Sequence, residues 1–255
     1  MRARLPTQDI VYLADQRHAP YGDRTHAELR GLLAANIASL EEAGVDAIVM
    51  GCNTSCSIAA CYGWPEHRVP VLDLIAAAAE AVARSGAKRI AVLATTATAG
   101  SGAYGDAIRR LVPQARVEEV AAPALVPLVE AGKLDGEEPR AAVAAACAYF
   151  AAPFDAIVLA CTHYPLLDAH FAAVLGHRIA RIDPAVAQSE RTAAYVATRS
   201  GNHTNGHARG QTRYLTSGPL DHFKSGLAQI LGPLLPNDDI AQVPYATPNA
   251  VPNTL

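Results

Sequence analysis

One short phrase is written twice in this chain, as Asp46-Ala-Ile-Val-Met-Gly-Cys52-Asn-Thr54 and as Asp155-Ala-Ile-Val-Leu-Ala-Cys161-Thr-His163. Each copy is an apolar run with β-branched residues that stops at a cysteine followed by small polar groups. Continuous apolar runs of this kind mark strands buried on both faces of a parallel sheet. Open α/β sheets take ligands beyond the carboxyl ends of their strands, which is where each thiol stands. Repeating the device implies two related halves, each offering one thiol to a shared cleft. An enzyme with two facing acid/base groups is built this way.

The rest of the chain alternates between strand-like and helix-like segments, which gives an α/β class with doubly wound parallel sheets. Strands are expected over 10–13, 47–50, 69–72, 89–93, 116–120, 156–159, 178–182 and 213–216, with a further one at 240–243 in an irregular, proline-rich tail. Helices are expected over 25–43, from 53 onward, and over 76–84, 103–111, 139–150, 168–175, 185–199 and 219–231. The first opens on a capping box, Thr25 with Glu28 three residues on, and stops at Gly44. The Thr/Gly-rich stretch 94–100 reads as a turn, 126–130 stays unassigned, and 201–210 reads as a surface loop. The expected division is a first lobe of 1–73 with 184–235, a second lobe of 74–183, and a mostly irregular tail over 236–255. The two lobes are expected to be related by pseudo-two-fold similarity, with the active site in the cleft between them.

Composition removes several alternatives. The formal net charge is −3 with no basic block, which excludes a nucleic-acid footprint. No charge-free apolar run reaches the roughly 18 residues of a membrane span, and Met1-Arg-Ala-Arg-Leu-Pro6 lacks the apolar core of a signal peptide. Five cysteines, three of them between Cys52 and Cys61, do not form a secreted disulfide framework, so a cytoplasmic location is expected. The spacing of Cys52, Cys56 and Cys61 lacks the C-x2-C signature of zinc sites, and no metal is expected. Cys56, Cys61 and Cys147 read as small packing residues. His203 and His207 have ligand-like spacing, but the surrounding Gly and Asn make a solvated loop the better reading.

Cys52 and Cys161 each sit where a strand ends and a helix can begin. Free N–H groups at a helix N-terminus favour an anion, so both thiols are expected to ionise more easily than a free cysteine. The amides of Asn53-Thr54 and Thr162-His163 suit a carboxylate, and Thr95 and Thr98, after a third strand, add hydroxyls. Two thiols across a small amino acid can take a proton from one face of a carbon and return one to the other, which is racemisation. A pyridoxal cofactor would need a Schiff-base lysine. The chain has only Lys88, Lys133 and Lys224, none at the carboxyl end of a strand, so cofactor-free chemistry is expected.

At this point the chain resembles the glutamate racemases of the cofactor-independent aspartate/glutamate racemase superfamily. The resemblance rests on Tyr12-Leu-Ala-Asp15 with Pro20-Tyr-Gly22, Cys52-Asn-Thr54, the 94–104 stretch, Leu128-Val-Glu130, Cys161-Thr-His-Tyr-Pro165 and Ile182-Asp183. It implies that Cys52 acts on the D-enantiomer and Cys161 on the L-enantiomer, with His163 and Glu130 supporting Cys161. It also implies substrate contacts from Pro20, Tyr21, Gly22, Asn53, Thr54, Thr95, Thr98 and Thr162, with Asp15 as a further acidic residue near the substrate. Glutamate would be the ligand, a homodimer the assembly, and D-glutamate for peptidoglycan the product. Family members begin with a strand ending in Asp-Ser-Gly, whose aspartate supports the first cysteine and whose serine touches substrate. Relative to them this chain starts at the helix end before Leu5-Pro6, about fifteen to twenty residues or one βα unit later. A start codon assigned too late is the expected explanation. Two alternatives stand beside the glutamate reading: an impaired or regulatory paralogue without that strand, and a racemase of aspartate or another small amino-acid derivative.

Overall fold

In a computed structural model, the structure describes residues 1–199, 209–234 and 238–243. The sequence-expected loop with His203 and His207, and most of the tail, lie outside the described residues. By its internal contacts the chain divides into two compact units. The first comprises Met1–Ile48, Pro65–Val71 and Thr192–Leu255, the second Val49–Trp64 and Leu72–Arg191. The boundaries differ from the expected ones, because 49–64, 72–73 and 184–191 join the second unit. Helix α2 (Asn53–Tyr62) packs on the helices that come after it, α3 (Leu74–Ser85), α4 (Thr96–Ser101) and α5 (Ala103–Leu111), and this carries Cys52 into the same unit as Cys161.

The first unit holds a parallel sheet of order β1-β8-β9, with β1 Ile10–Ala14, β8 Thr212–Thr216 and β9 Asp239–Gln242. Its small core gathers Tyr214, Phe223 and Leu227, the last two from α10 (Leu220–Leu231), and Tyr12 stacks on Phe223. Helix α1 (His26–Glu42) opens on the expected capping box: Thr25 Oγ1 accepts from the Glu28 N–H, and the Glu28 carboxylate accepts from the Thr25 N–H at 2.9 Å. Gly44 comes just after it at φ +78°, a left-handed turn that suits glycine.

The second unit is a four-stranded, wholly parallel sheet of order β5-β4-β6-β7: β4 Arg89–Ala94, β5 Arg116–Ala121, β6 Ala156–Ala160 and β7 Ala180–Ile182. The two central strands are buried along almost their whole length, as their unbroken apolar sequence predicts. Helices α7 (Glu137–Cys147) and α8 (Asp168–Leu175) close over Leu93, Leu125, Ile157 and Leu159, with Phe171 of α8 in the same core. The short strands β2 (Ile48–Val49) and β3 (Val71–Leu72) pair with each other. Gln188, on α9 (Pro184–Arg199), donates through Nε2 to the carbonyls of Met50 and Leu72 and fixes their carboxyl ends.

Two segments depart from their sequence readings. The stretch read as a Thr/Gly turn forms α4, capped by Thr95, whose hydroxyl takes the Thr98 N–H at 3.3 Å. A threonine cap outweighs the poor helix propensity of Thr and Gly over so short a span. The unassigned 126–130 stretch falls within a helix, α6 (Leu125–Glu130). Among the described residues no helix is long and apolar enough to cross a membrane.

Candidate active site

The register of the second sheet brings the chemistry together. Ala94 of β4 pairs with Ala160 of β6, so the next residues, Thr95 and Cys161, leave adjacent strand ends side by side. Cys52 caps α2 in an extended conformation, and Asn53 and Thr54 form the buried first turn of that helix. Each of these residues belongs to the second unit.

Cys161 is 6% exposed. Its sulfur lies 3.6 Å from His163 Nδ1, and His163 Nε2 lies 2.5 Å from Glu130 Oε1 at the end of α6. The imidazole therefore bridges a thiol and a carboxylate, in the order expected of a general base with an orienting acid. Thr162, between them, is exposed. The expected lowering of the Cys161 pKa is overturned. Burial pushes this thiol up to about 12, against the pull of the His163 and Tyr164 backbone N–H groups, and the charge of nearby Cys52 adds to the rise. Cys161 leads into a single 3-10 turn, Tyr164–Leu167, too short to offset the loss of water.

Beside the sulfurs, three threonine hydroxyls close a ring: Thr54 to Thr95 at 3.1 Å, Thr95 to Thr98 at 3.0 Å, and Thr98 to Thr54 at 3.4 Å. Thr98 is wholly buried, so its hydroxyl acts on its two neighbours rather than on solvent. Asn53 is tied through Oδ1 to the hydroxyl of Tyr104, on α5. Tyr164 donates its hydroxyl between the carbonyls of Ala94 (3.0 Å) and Ala122 (2.9 Å), at the ends of β4 and β5. Cys56 is fully buried within α2, and burial raises its thiol well above the usual range. Cys61 is exposed, and Cys147 is pushed up to about 11 by burial. Lys133 is paired with Glu138 at 2.8 Å.

The remaining expected residues form a separate group in the first unit. Both Asp15 oxygens are occupied: Oδ1 by Ser217 Oγ (2.6 Å) and His18 Nδ1 (2.7 Å), Oδ2 by Tyr21 (2.5 Å). Burial alone would raise this carboxyl, but the donors from Ser217, Tyr21 and His18 outweigh it and hold it below the usual range. Tyr21 Oη in turn accepts from Asn36 Nδ2 at 2.9 Å. Asp15 thus anchors the loop carrying exposed Pro20 and half-buried Tyr21 and Gly22.

The Asp/Glu/Hydantoin racemase family matches residues 2–192. The chain belongs to that family. It is 43% identical over 196 residues to the glutamate racemase of Gloeobacter violaceus, covering 75% of this chain and 72% of the relative. The glutamate racemase of Desulforudis audaxviator is 35% identical, with 89% of this chain and 86% of that one covered. Among solved structures, glutamate racemase from Francisella tularensis in complex with D-glutamate matches at TM-score 0.83 and 25% identity, covering 94% of this chain and 90% of that one. The Thermus thermophilus glutamate racemase in complex with β-chloro-D-alanine matches at TM-score 0.80 and 28% identity, covering 95% and 89%.

Within this racemase, sequence reasoning passed over Tyr104, Tyr164 and Ser217. Tyr104 and Tyr164 stand inside the motif stretches, and an aromatic with a polar tip beside strand-end residues is the signal that marks them. Ser217 sits some 200 positions from Asp15, and no local pattern announces their bond.

Proposed function

We infer that this racemase interconverts L- and D-glutamate without a cofactor, using Cys52 and Cys161 as the two acid/base groups. The observation that carries the reading is the joining, in one compact unit, of a strand-end thiol at a helix cap with a second thiol backed by the His163–Glu130 pair. The named relatives support glutamate as substrate. Two-base racemisation needs one sulfur as thiolate and the other as thiol. A thiolate at Cys52 raises the pKa of Cys161, which favours that mixed state.

From the D-enantiomer, the Cys52 thiolate takes the Cα proton and the Cys161 thiol supplies one to the opposite face. From the L-enantiomer the roles reverse, and Cys161 must first lose its proton. His163 Nδ1 accepts it, and Glu130 stabilises the imidazolium that results. Amides of Asn53 and Thr54 and the hydroxyls of Thr54 and Thr95, which Thr98 orients from behind, hold the substrate and meet the charge that develops next to Cα. The product feeds peptidoglycan synthesis in the cytoplasm, and the protein acts as a homodimer.

Purified protein with either enantiomer of glutamate and no added cofactor should reach an equal mixture, monitored by polarimetry. Unchanged turnover in either Cys52→Ala or Cys161→Ala would contradict the mechanism. Turnover of aspartate in preference to glutamate would contradict the substrate.

A further inference from the structure

Asn53 has two faces, an acceptor oxygen and a donor nitrogen, and a free asparagine amide can turn either one towards a ligand. In this structure it is held. Tyr104, with no exposed surface, gives its hydroxyl to Asn53 Oδ1. Burial keeps the phenol protonated far above ordinary working pH, so it acts as a donor throughout. No water competes for that proton at a wholly buried hydroxyl, which makes the bond costly to leave unmade.

The phenol is itself locked in place. Gly102, at φ +68°, turns the chain from α4 into α5 in a left-handed conformation. Next to Tyr104, the Gly105 N–H donates to Glu119 Oε1 on β5 at 2.7 Å. A Cβ at position 105 would lie 2.8 Å from that oxygen and 2.9 Å from Arg109 Nη1, so a larger residue there would push the ends of these two side chains aside and disturb the Glu119 contact. The Gly105–Glu119 bond ties α5, which carries the phenol, to β5 behind Asn53.

We propose that Tyr104 is a positioning residue for glutamate: by holding Asn53 Oδ1, it leaves only the Nδ2 donors of that amide to meet the substrate, and so selects a carboxylate there over an ammonium. This rests on the reading of the chain as a glutamate racemase with Asn53 in its substrate site. The selection works by exclusion as well as by attraction, because the amide's one acceptor atom is turned towards the phenol and already takes its proton.

A double-mutant cycle tests it. Tyr104→Phe keeps the ring and removes the hydroxyl, and KM should rise about tenfold for both enantiomers with kcat changed much less. Asn53→Ala should do the same, and the double variant should be no worse than Asn53→Ala alone. Dissociation constants for D-glutamate should show the same pattern. Independent, multiplying losses would overturn the assignment, since a purely structural tyrosine does not need Asn53 to exert its effect. Asn53→Asp provides a second test with Tyr104 untouched: the phenol takes one oxygen, the other faces the substrate carboxylate, and binding should weaken beyond that of Asn53→Ala. Wild-type affinity in Asn53→Asp would overturn it. A wild type that neither binds nor turns over glutamate would instead defeat the functional reading and this assignment with it. An active wild type with multiplying losses defeats the assignment alone.

Discussion

Cys52 leaves a strand of two residues and caps a helix of ten; Cys161 leaves a strand of five residues, all buried, and meets one 3-10 turn. The two sequences leading into them are nearly the same, and the surroundings they reach are not. Cys52 is half-buried at the start of a regular helix. Cys161 has lost most of its water and has a histidine and a glutamate behind it. A duplicated strand motif thus yields two chemically unequal sulfurs, one of which needs an outside base to ionise. The inequality has a use: a site that must hold one proton between two thiols works only if they do not ionise together.

The largest effect should come from deleting either sulfur. Cys52→Ala and Cys161→Ala should each lower kcat by roughly a thousandfold or more, the scale of a lost general acid or base, in a polarimetric assay run in both directions. Activity within tenfold of wild type in one of them would show that only one sulfur takes part. His163→Asn sharpens the comparison. It should lower kcat about a hundredfold in the L-to-D direction and distinctly less in the D-to-L direction. KM must change in step, because the two kcat/KM values stay equal when the equilibrium constant is one. Equal kcat losses in the two directions would break the asymmetry.

Burial of Cys161 should also appear in stability at alkaline pH. The thiol is raised to about 12 in the folded chain, while an unfolded cysteine ionises near 8.5. Between these values the unfolded state loses a proton that the folded state keeps, so stability falls as pH rises. Below about 8.5 both states are protonated and the contribution vanishes. At pH 10.5 the loss amounts to about 2–3 kcal/mol, and Cys161→Ser should remove it from the pH dependence of thermal unfolding. A smaller effect is expected from Tyr164→Phe, which removes one of the two hydrogen bonds at each of the carbonyls of Ala94 and Ala122 and should cost about 1 kcal/mol in denaturant unfolding at neutral pH.

Local pattern was enough for most of the fold. The unbroken apolar strands, the Thr25–Glu28 box and the glycine stops all lie where short-range rules place them, because those rules act within a few residues. The strand-end cysteines and the threonines could be named for the same reason. Features set by the tertiary fold escaped. Helix α4 hid behind residues with poor helix propensity, since its stability comes from a cap and from packing. The direction of the Cys161 pKa depends on how many atoms cover it, a property of the tertiary fold. The bond of Asp15 to Ser217 joins distant stretches and leaves no mark in either one, and the aromatic signal at Tyr104 does not name Asn53 as its partner.

The most direct test of two separate sulfurs is the early fate of deuterium in heavy water. Starting from L-glutamate, D-glutamate formed in the first few per cent of reaction should carry one solvent deuterium at Cα, while the remaining L-glutamate stays unlabelled. Recovered L-glutamate that gains label as fast as product appears would mean that one group both removes and returns the proton, and the paired-thiol account would be wrong.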